Sequence, residues 1–277
     1  MLNINDWTST LRHQRYLVDD SLATMINLAI TLGRPLLVEG PAGSGKTQLA
    51  YALAKAIQRE LIRLSCYEGL DASQALYDWN YQRQLTAIAQ HSDVNPFGPD
   101  FLLERPLLKA LRSSGAVLLV DEIDRADEGF EALWLEYLAD HQITIPEWST
   151  VRAQSVPVTI LTSNRTRALS DALRRRCLYA YLDWPQADRE IEIAALYADA
   201  VPHAVLTRLV AGIHCLRSWQ LIKPPGLAET IDWALSQQVM GNPGWTRAWV
   251  LSTLGCVIKD TLDMGSVVAR IDELVAG

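Results

Sequence analysis

The chain has 277 residues, 49% hydrophobic and 21% charged, with a formal net charge of -7. That is enough chain to bury a sizeable core in one large or two smaller domains, and the composition is globular rather than disordered. The acidic balance argues against a general nucleic-acid or anionic-membrane binder, and no stretch approaches the roughly 18 unbroken apolar residues of a membrane span.

The opening MLNINDWTSTLRHQRY lacks the basic-then-apolar order of a secretory signal. The first apolar run is PLLVEG (35–40), followed by a helical pattern with Leu49, Leu53, Ala56 and Ile57 on one face. Further short runs follow at LIRLSC (61–66), AVLLVDE (116–122), VTILTSN (158–164) and CLYAYLDW (177–184). Continuous apolar strands separated by helical segments predict a parallel sheet covered on both faces. From about Gln186 the strand signal stops. Ile191, Ala194, Ala195 and Ala198, then Leu206, Leu209, Val210 and Ile213, repeat at helical spacing, with KPPG and GNPG as punctuation. The expected organisation is an α/β nucleotide-binding domain over 1–185, with a five-stranded parallel core sheet, and an all-helical domain over 186–277.

Between the first strand and its helix stands GPAGSGKT (40–47), a match to G-x-x-x-x-G-K-[ST] in the strand–loop–helix context that motif requires. Gly40, Gly43 and Gly45 let the backbone curl. With Pro41, Ala42 and Ser44 between them, successive N–H groups can then turn inward onto phosphate oxygens. The start of the following helix adds the positive end of its dipole. Lys46 is expected to reach the β- and γ-phosphates of ATP, and Thr47 to hold Mg²⁺ through its hydroxyl. A glycine-rich turn without a ligand is the bland alternative.

The strand 116–120 ends in Asp121-Glu122, at the edge where open α/β sheets bind ligands. Asp121 is expected to support the Mg²⁺ shell and Glu122 to orient and deprotonate the attacking water. Acidic residues also simply end strands, and the phosphate loop upstream is what favours the catalytic role. Asn164 closes VTILTSN, where its amide could fix that water or merely form a turn. Cys66, Cys177, Cys215 and Cys256 are far apart and lack ligand spacing. Reduced, mostly buried thiols in a cytoplasmic protein are expected, and the histidines at 13, 91, 141, 203 and 214 form no ligand set.

In DALRRRC, Arg174, Arg175 and Arg176 stand together just ahead of a strand, which is costly unless a negative group faces them. The order of phosphate loop, LLVDEID, TSN, a short helix ending in LRRRC and a C-terminal bundle resembles AAA+ ATPases, most closely the MoxR type. RLSCYEGLDASQALYDWNYQRQL, FLLERPLLKAL, ITIPEWSTVRA and DALRRRCLYAYLDWP are similar to the CoxD-like branch, linked to maturation of carbon monoxide dehydrogenase. The likeness runs from about Tyr16 to Trp233.

This resemblance implies a P-loop NTPase αβα sandwich with a helical lid, acting as a homo-oligomeric, hexameric ring that remodels a client protein. Partners implied are a von Willebrand A-domain protein and a client metalloenzyme. ATP would lie between subunits, so the arginines would face a neighbour's γ-phosphate, with Arg174 and Arg176 as the trans pair and Arg175 turned elsewhere, towards a carboxylate of its own chain. Tyr16, Leu17 and Val18 would line the adenine pocket. Two insertions would face substrate: 67–100, containing Tyr77, Trp79 and Tyr81, and a hairpin at 141–153 with Trp148 near its turn. Tyr77 and Trp79 at alternating positions are more often core, and Trp148 could contact substrate or pack. An arginine is also usual at the start of a lid helix, but the matching stretch KPPGLAETIDWAL has Gly226 and Leu227 there. Either Lys223 substitutes or the lid closes without a direct phosphate contact. Two other functions compete. A monomeric P-loop phosphotransferase would exclude water rather than carry a water base like Glu122, and the negative charge disfavours a DNA-acting motor.

Overall fold

The computed structural model describes residues 4–90, 95–146 and 148–276, so His91 lies outside the described residues. The chain forms two compact units, Met1–Gln14 with Val18–Gly40 and Lys46–Tyr181, and Arg15–Leu17 with Pro41–Gly45 and Leu182–Gly277.

The first unit begins with α1 (Ile4–His13), α2 (Asp20–Leu32), β1 (Leu36–Glu39), α3 (Lys46–Ala56) and β2 (Leu61–Ser65). It continues with α4 (Ala72–Ala75), β3 (Tyr77–Trp79), α5 (Tyr81–Gln90), β4 (Leu102–Glu104), α6 (Pro106–Arg112) and β5 (Val117–Asp121). Last come α7 (Glu128–Asp140), β6 (Gln142–Ile145), β7 (Ser149–Arg152), β8 (Val158–Ser163), α8 (Asp171–Arg176) and β9 (Leu178–Tyr181). Each of the five long apolar runs forms one strand of a single five-stranded parallel sheet, in the order β2-β5-β8-β1-β9. Every residue of β1, β5 and β8 is buried, as central parallel strands require, while β2 and β9 alternate at the edges. Register aligns Ser163, Glu39 and Tyr181 across β8, β1 and β9, and Ser65 with Asp121 across β2 and β5. The loops that leave these strand ends therefore emerge on one edge of the sheet.

Local chemistry sets the helix ends. Asp19 caps α2, Asp127 caps α7 and Ser170 caps α8, each accepting from a backbone N–H of the first turn. The expected hairpin at 141–153 is present as antiparallel β6 and β7. Trp148, near its turn, is half-buried and packs on the apolar core. Trp79 is buried too, edge-on to Tyr77 and Phe97 at centroid distances of 6.2 and 5.5 Å. Tyr81 is exposed.

The second unit contains α9 (Ala187–Tyr197), α10 (His203–Ser218), α11 (Leu227–Val239), α12 (Arg247–Thr253), α13 (Thr261–Ala269) and α14 (Ile271–Ala276). Ile191, Ala194, Leu206, Leu209, Val210 and Ile213 are its buried stripe, with Trp233 stacked on Trp249 at 5.3 Å and Trp245 edge-on to Trp233 at 5.2 Å. Among the described residues no helix is long and apolar enough to cross a membrane.

Candidate active site

In the first unit β1 delivers Gly40 to the sheet edge, where its N–H donates to the Ser163 carbonyl at 3.2 Å. Lys46 opens α3 with a buried side chain whose Nζ donates to the Gly40 carbonyl at 3.0 Å. Burial pulls this ammonium below its ordinary pKa, opposed by the carboxylates of Asp124, Asp121 and Glu122. In the second unit, which includes 41–45, Gly43 and Gly45 adopt left-handed φ values of 74° and 91°, which a side chain would strain. The Ser44 hydroxyl is buried without a hydrogen-bond partner among the described residues. A buried donor left so is costly, and a phosphate oxygen would satisfy it.

Asp121 ends β5 with both oxygens engaged. Oδ1 accepts from Thr47 Oγ1 at 2.9 Å and Thr162 Oγ1 at 2.6 Å, and Oδ2 accepts from Arg63 Nη2 at 2.5 Å and Nε at 3.1 Å. Glu122 takes the left-handed conformation with φ 57°, and its N–H donates to Thr162 Oγ1 at 2.9 Å. That kink turns its carboxylate towards Asn164, whose Nδ2 donates to Oε1 at 3.2 Å, while Arg125 Nε lies 2.9 Å from Oε2. Buried Asp124 fixes the Asn164 turn, accepting from Asn164 N at 3.3 Å, Thr166 N at 2.8 Å and Thr166 Oγ1 at 2.6 Å. The donor set fits a Mg²⁺ ion held through one hydroxyl, waters and phosphates, the usual habit of this cation. Thr47 would be its protein ligand, and Asp121, its lone pairs already shared, would support that ligand from behind. Among the described residues no group of three His, Cys, Asp or Glu side chains forms a metal cage of its own.

The three arginines divide differently from expectation. Arg174, not Arg175, meets a carboxylate of its own chain: Nη2 lies 2.7 Å from Oε1 of Glu39. Tyr179 completes this cluster, its hydroxyl donating to Glu39 Oε2 at 3.1 Å and its ring 5.9 Å from the Arg174 guanidinium. Residues two apart on a helix point to different faces, and Arg174 and Arg176 have different partners here. Arg176 Nη1 donates to the Ala172 carbonyl at 3.2 Å. Arg34 donates to the carbonyls of Arg175 at 2.7 Å and Arg176 at 3.3 Å, and with Leu138, His141, Arg175 and Arg176 lines a cleft of about 410 Å³.

In the second unit Tyr16 is buried beside Gly45, where an added Cβ would meet its ring at 3.7 Å. Tyr197 holds this segment, its hydroxyl donating to the Arg15 carbonyl at 3.2 Å. Leu17 belongs to the same unit and Val18 to the first, where it is buried. Leu227 N–H donates to the Gly43 carbonyl at 2.8 Å and Trp184 Nε1 to the Ala42 carbonyl at 3.1 Å. Lys223 is exposed, its backbone N–H tied to Asp263 at 2.9 Å.

Sequence reading missed Thr162, Arg63, Glu39 and Trp184. Thr162 carried a usable signal: counted back from Asn164 along β8, it is the polar residue that register sets beside Asp121. Arg63 alternates with apolar residues in LIRLS, but nothing local says which carboxylate it meets.

Residues 35–177, just over half of the chain, match the family described as AAA domain (dynein-related subfamily). The gas vesicle ATPase GvpN1 of Halobacterium salinarum is 24% identical over 248 residues, 84% of this chain and 65% of that protein. Protein NorQ of Paracoccus denitrificans is 22% identical over 187 residues, 65% of this chain and 64% of that protein. The chain thus spans just under two thirds of the length of these two relatives. Two mutants of Thermotoga maritima RuvB share its fold. One has a TM-score of 0.52 at 19% identity, covering 99% of this chain and 80% of that one. The other has 0.51 at 21%, covering 92% and 75%. At such identities the likeness is one of fold. The phosphate loop, the carboxylate pair and the Asn164 turn all fall inside the matched stretch, and the chain belongs to the AAA domain family, dynein-related subfamily.

Proposed function

We propose that the chain hydrolyses ATP to ADP and phosphate and uses the cycle to remodel a client protein. One assembly carries the first half of this reading: buried Lys46, the Thr47–Asp121 hydrogen bond and the Glu122–Asn164 pair all stand at the ends of β1, β5 and β8. Lys46 and the N–H groups of Gly43, Ser44 and Gly45 bind the phosphates. Thr47 would hold Mg²⁺, which would supply charge neutralisation to the phosphates. Glu122 accepts a proton from water as its oxygen attacks the γ-phosphorus and the bond to ADP breaks, and Asn164 orients that water. Lys46→Ala should abolish ATP binding, whereas Glu122→Gln should keep binding and lose turnover. Near-normal turnover in Glu122→Gln would remove Glu122 as the base.

The arginine at the end of α8, Arg176, is the trans group in this reading, completing a neighbour's site in a homo-oligomeric, hexameric ring. Such a finger is worth about 10³ to 10⁵ in turnover. Arg174 leaves the pair because Glu39 already neutralises it. The MoxR-type resemblance supports remodelling and a von Willebrand A-domain partner, and the CoxD-like stretches support a metalloenzyme client during cofactor insertion. Glu122→Gln protein held with ATP and recovered from its host lysate should bring both down. Recovery of DNA-processing proteins instead would favour a DNA-acting motor.

A further inference from the structure

The start of α11 meets the loop at 41–45 through backbone. An added Cβ on Gly226 would stand 2.7 Å from Gly43 Cα and 3.1 Å from the Gly43 carbonyl oxygen. No side chain fits there. Instead the N–H of Leu227, first residue of α11, donates to the Gly43 carbonyl at 2.8 Å. A second donor reaches the neighbouring peptide, Trp184 Nε1 on the Ala42 carbonyl at 3.1 Å.

Both donors belong to one braced network. The Arg217 guanidinium lies 5.0 Å from the Trp184 ring and donates to the Pro225 carbonyl at 2.8 Å, one residue before Gly226. Arg217 also grips fully buried Glu190 through two bonds of 2.7 and 2.8 Å. Glu190 accepts in turn from Thr230 Oγ1 at 2.5 Å, and that hydroxyl lies 3.1 Å from the Gly226 carbonyl. His214 Nε2 completes the shell at 2.9 Å from Glu190.

The consequence for phosphate binding comes from peptide planarity. In a trans peptide the C=O and the following N–H point in opposite directions across one rigid plane. Holding the Ala42 carbonyl fixes the direction of the Gly43 N–H, and holding the Gly43 carbonyl fixes that of Ser44. These are loop N–H groups of the kind that cradle phosphates; that of Ser44 also donates to the Pro41 carbonyl at a long 3.4 Å, a bond that a phosphate oxygen would replace. We propose that Gly226–Leu227 and Trp184 are positioning residues that pre-orient the Gly43 and Ser44 N–H groups for phosphate through main-chain carbonyls. The proposal rests on the reading of 40–47 as the ATP phosphate loop.

The test is titration of a fluorescent ATP analogue into the full chain, alongside the unfolding temperature. Trp184→Phe keeps an aromatic ring for Arg217 while removing the indole N–H together with one ring of the indole, and Gly226→Ala forces the two backbones apart. Each should weaken binding about tenfold, with turnover at saturating ATP within about twofold of wild type because Glu122 and Asn164 are untouched. Coupling is reciprocal, so ATP should slow hydrogen exchange at the Leu227 amide in wild type by a similar factor. A purely structural network would slow that exchange no more than at other buried amides of the helical unit, which feel only the general stabilisation by a ligand. Wild-type affinity in both variants, or no extra slowing at Leu227, overturns the proposal. If Gly226→Ala does not fold, Trp184→Phe decides. Loss of ATP binding in the unmodified chain, or normal binding in Lys46→Ala, would instead overturn the phosphate-loop reading beneath it.

Discussion

Thr162 shows how much one buried hydroxyl carries. It donates to Asp121 Oδ1 and accepts from the Glu122 N–H, so a single side chain holds both members of the acidic pair. Thr162→Val keeps the shape of the side chain and strips both bonds, leaving a donor unpaired inside the sheet edge. Stability should fall by about 1–3 kcal/mol, the cost of a buried unsatisfied group, and urea unfolding measures it. Turnover should fall further than that loss explains, because Glu122 loses the contact that fixes its left-handed turn. The cysteines give a second residue-level expectation. Burial pushes the thiols of Cys66 and Cys177 up to about 12 each. Their thiolate fraction at pH 8 is therefore negligible, and the thiolate is the nucleophile. Iodoacetamide at that pH should modify half-exposed Cys215 and Cys256 and spare the other two until denaturant is added.

Helix α8 separates two arginines that look equivalent in DALRRRC. Arg174 neutralises Glu39, whose side chain is 2% exposed, so Arg174→Ala leaves that carboxylate with Tyr179 alone. That should cost about 1–3 kcal/mol in unfolding free energy, the range for a buried polar group losing its partner. Arg176→Ala removes one bond to an exposed carbonyl and should leave stability within about 0.5 kcal/mol, as at ordinary surface sites. Equal losses in the two variants would show that the Glu39 pair does not anchor α8. Such elements also show what could be read without coordinates. The three central strands were legible because parallel strands buried on both faces are written as unbroken apolar runs, and the edge strands β2 and β9 as short, mostly apolar runs that alternate in burial. That Lys46, Thr47, Asp121, Glu122 and Asn164 would gather at the strand ends was legible from the phosphate-loop spacing and from where the apolar runs stop. The partner of Arg174 was not, since Glu39 lies far away in the chain and meets it only once β1 and β9 pair. The side of the hairpin that Trp148 takes was open for a related reason: a turn in the sequence does not say whether the hairpin folds back on the core. Nor could a single boundary near Pro185 express that 15–17 and 41–45 group with the helical unit.

For the whole assembly the trans reading makes a sharper demand than any single variant. Arg176→Ala and Glu122→Gln subunits should each be inactive alone, the first for want of a donated arginine and the second for want of a water base. A ring built from head-to-tail contacts gives every shared site one acceptor and one donor subunit. In an equal, randomly mixed ring, about a quarter of those sites join an Arg176→Ala acceptor, with Glu122 intact, to a Glu122→Gln donor, with Arg176 intact. Mixed subunits, allowed to exchange before assay, should therefore recover about a quarter of wild-type turnover if sites fire independently, and less if they must fire in concert. Turnover per protomer should also rise with protein concentration, because a site split between subunits does not exist in a monomer. A monomeric phosphotransferase predicts the opposite on both counts, with no recovery on mixing and a rate independent of concentration. Recovery with Arg174→Ala in place of Arg176→Ala would return Arg174 to the shared site and break its exclusive pairing with Glu39.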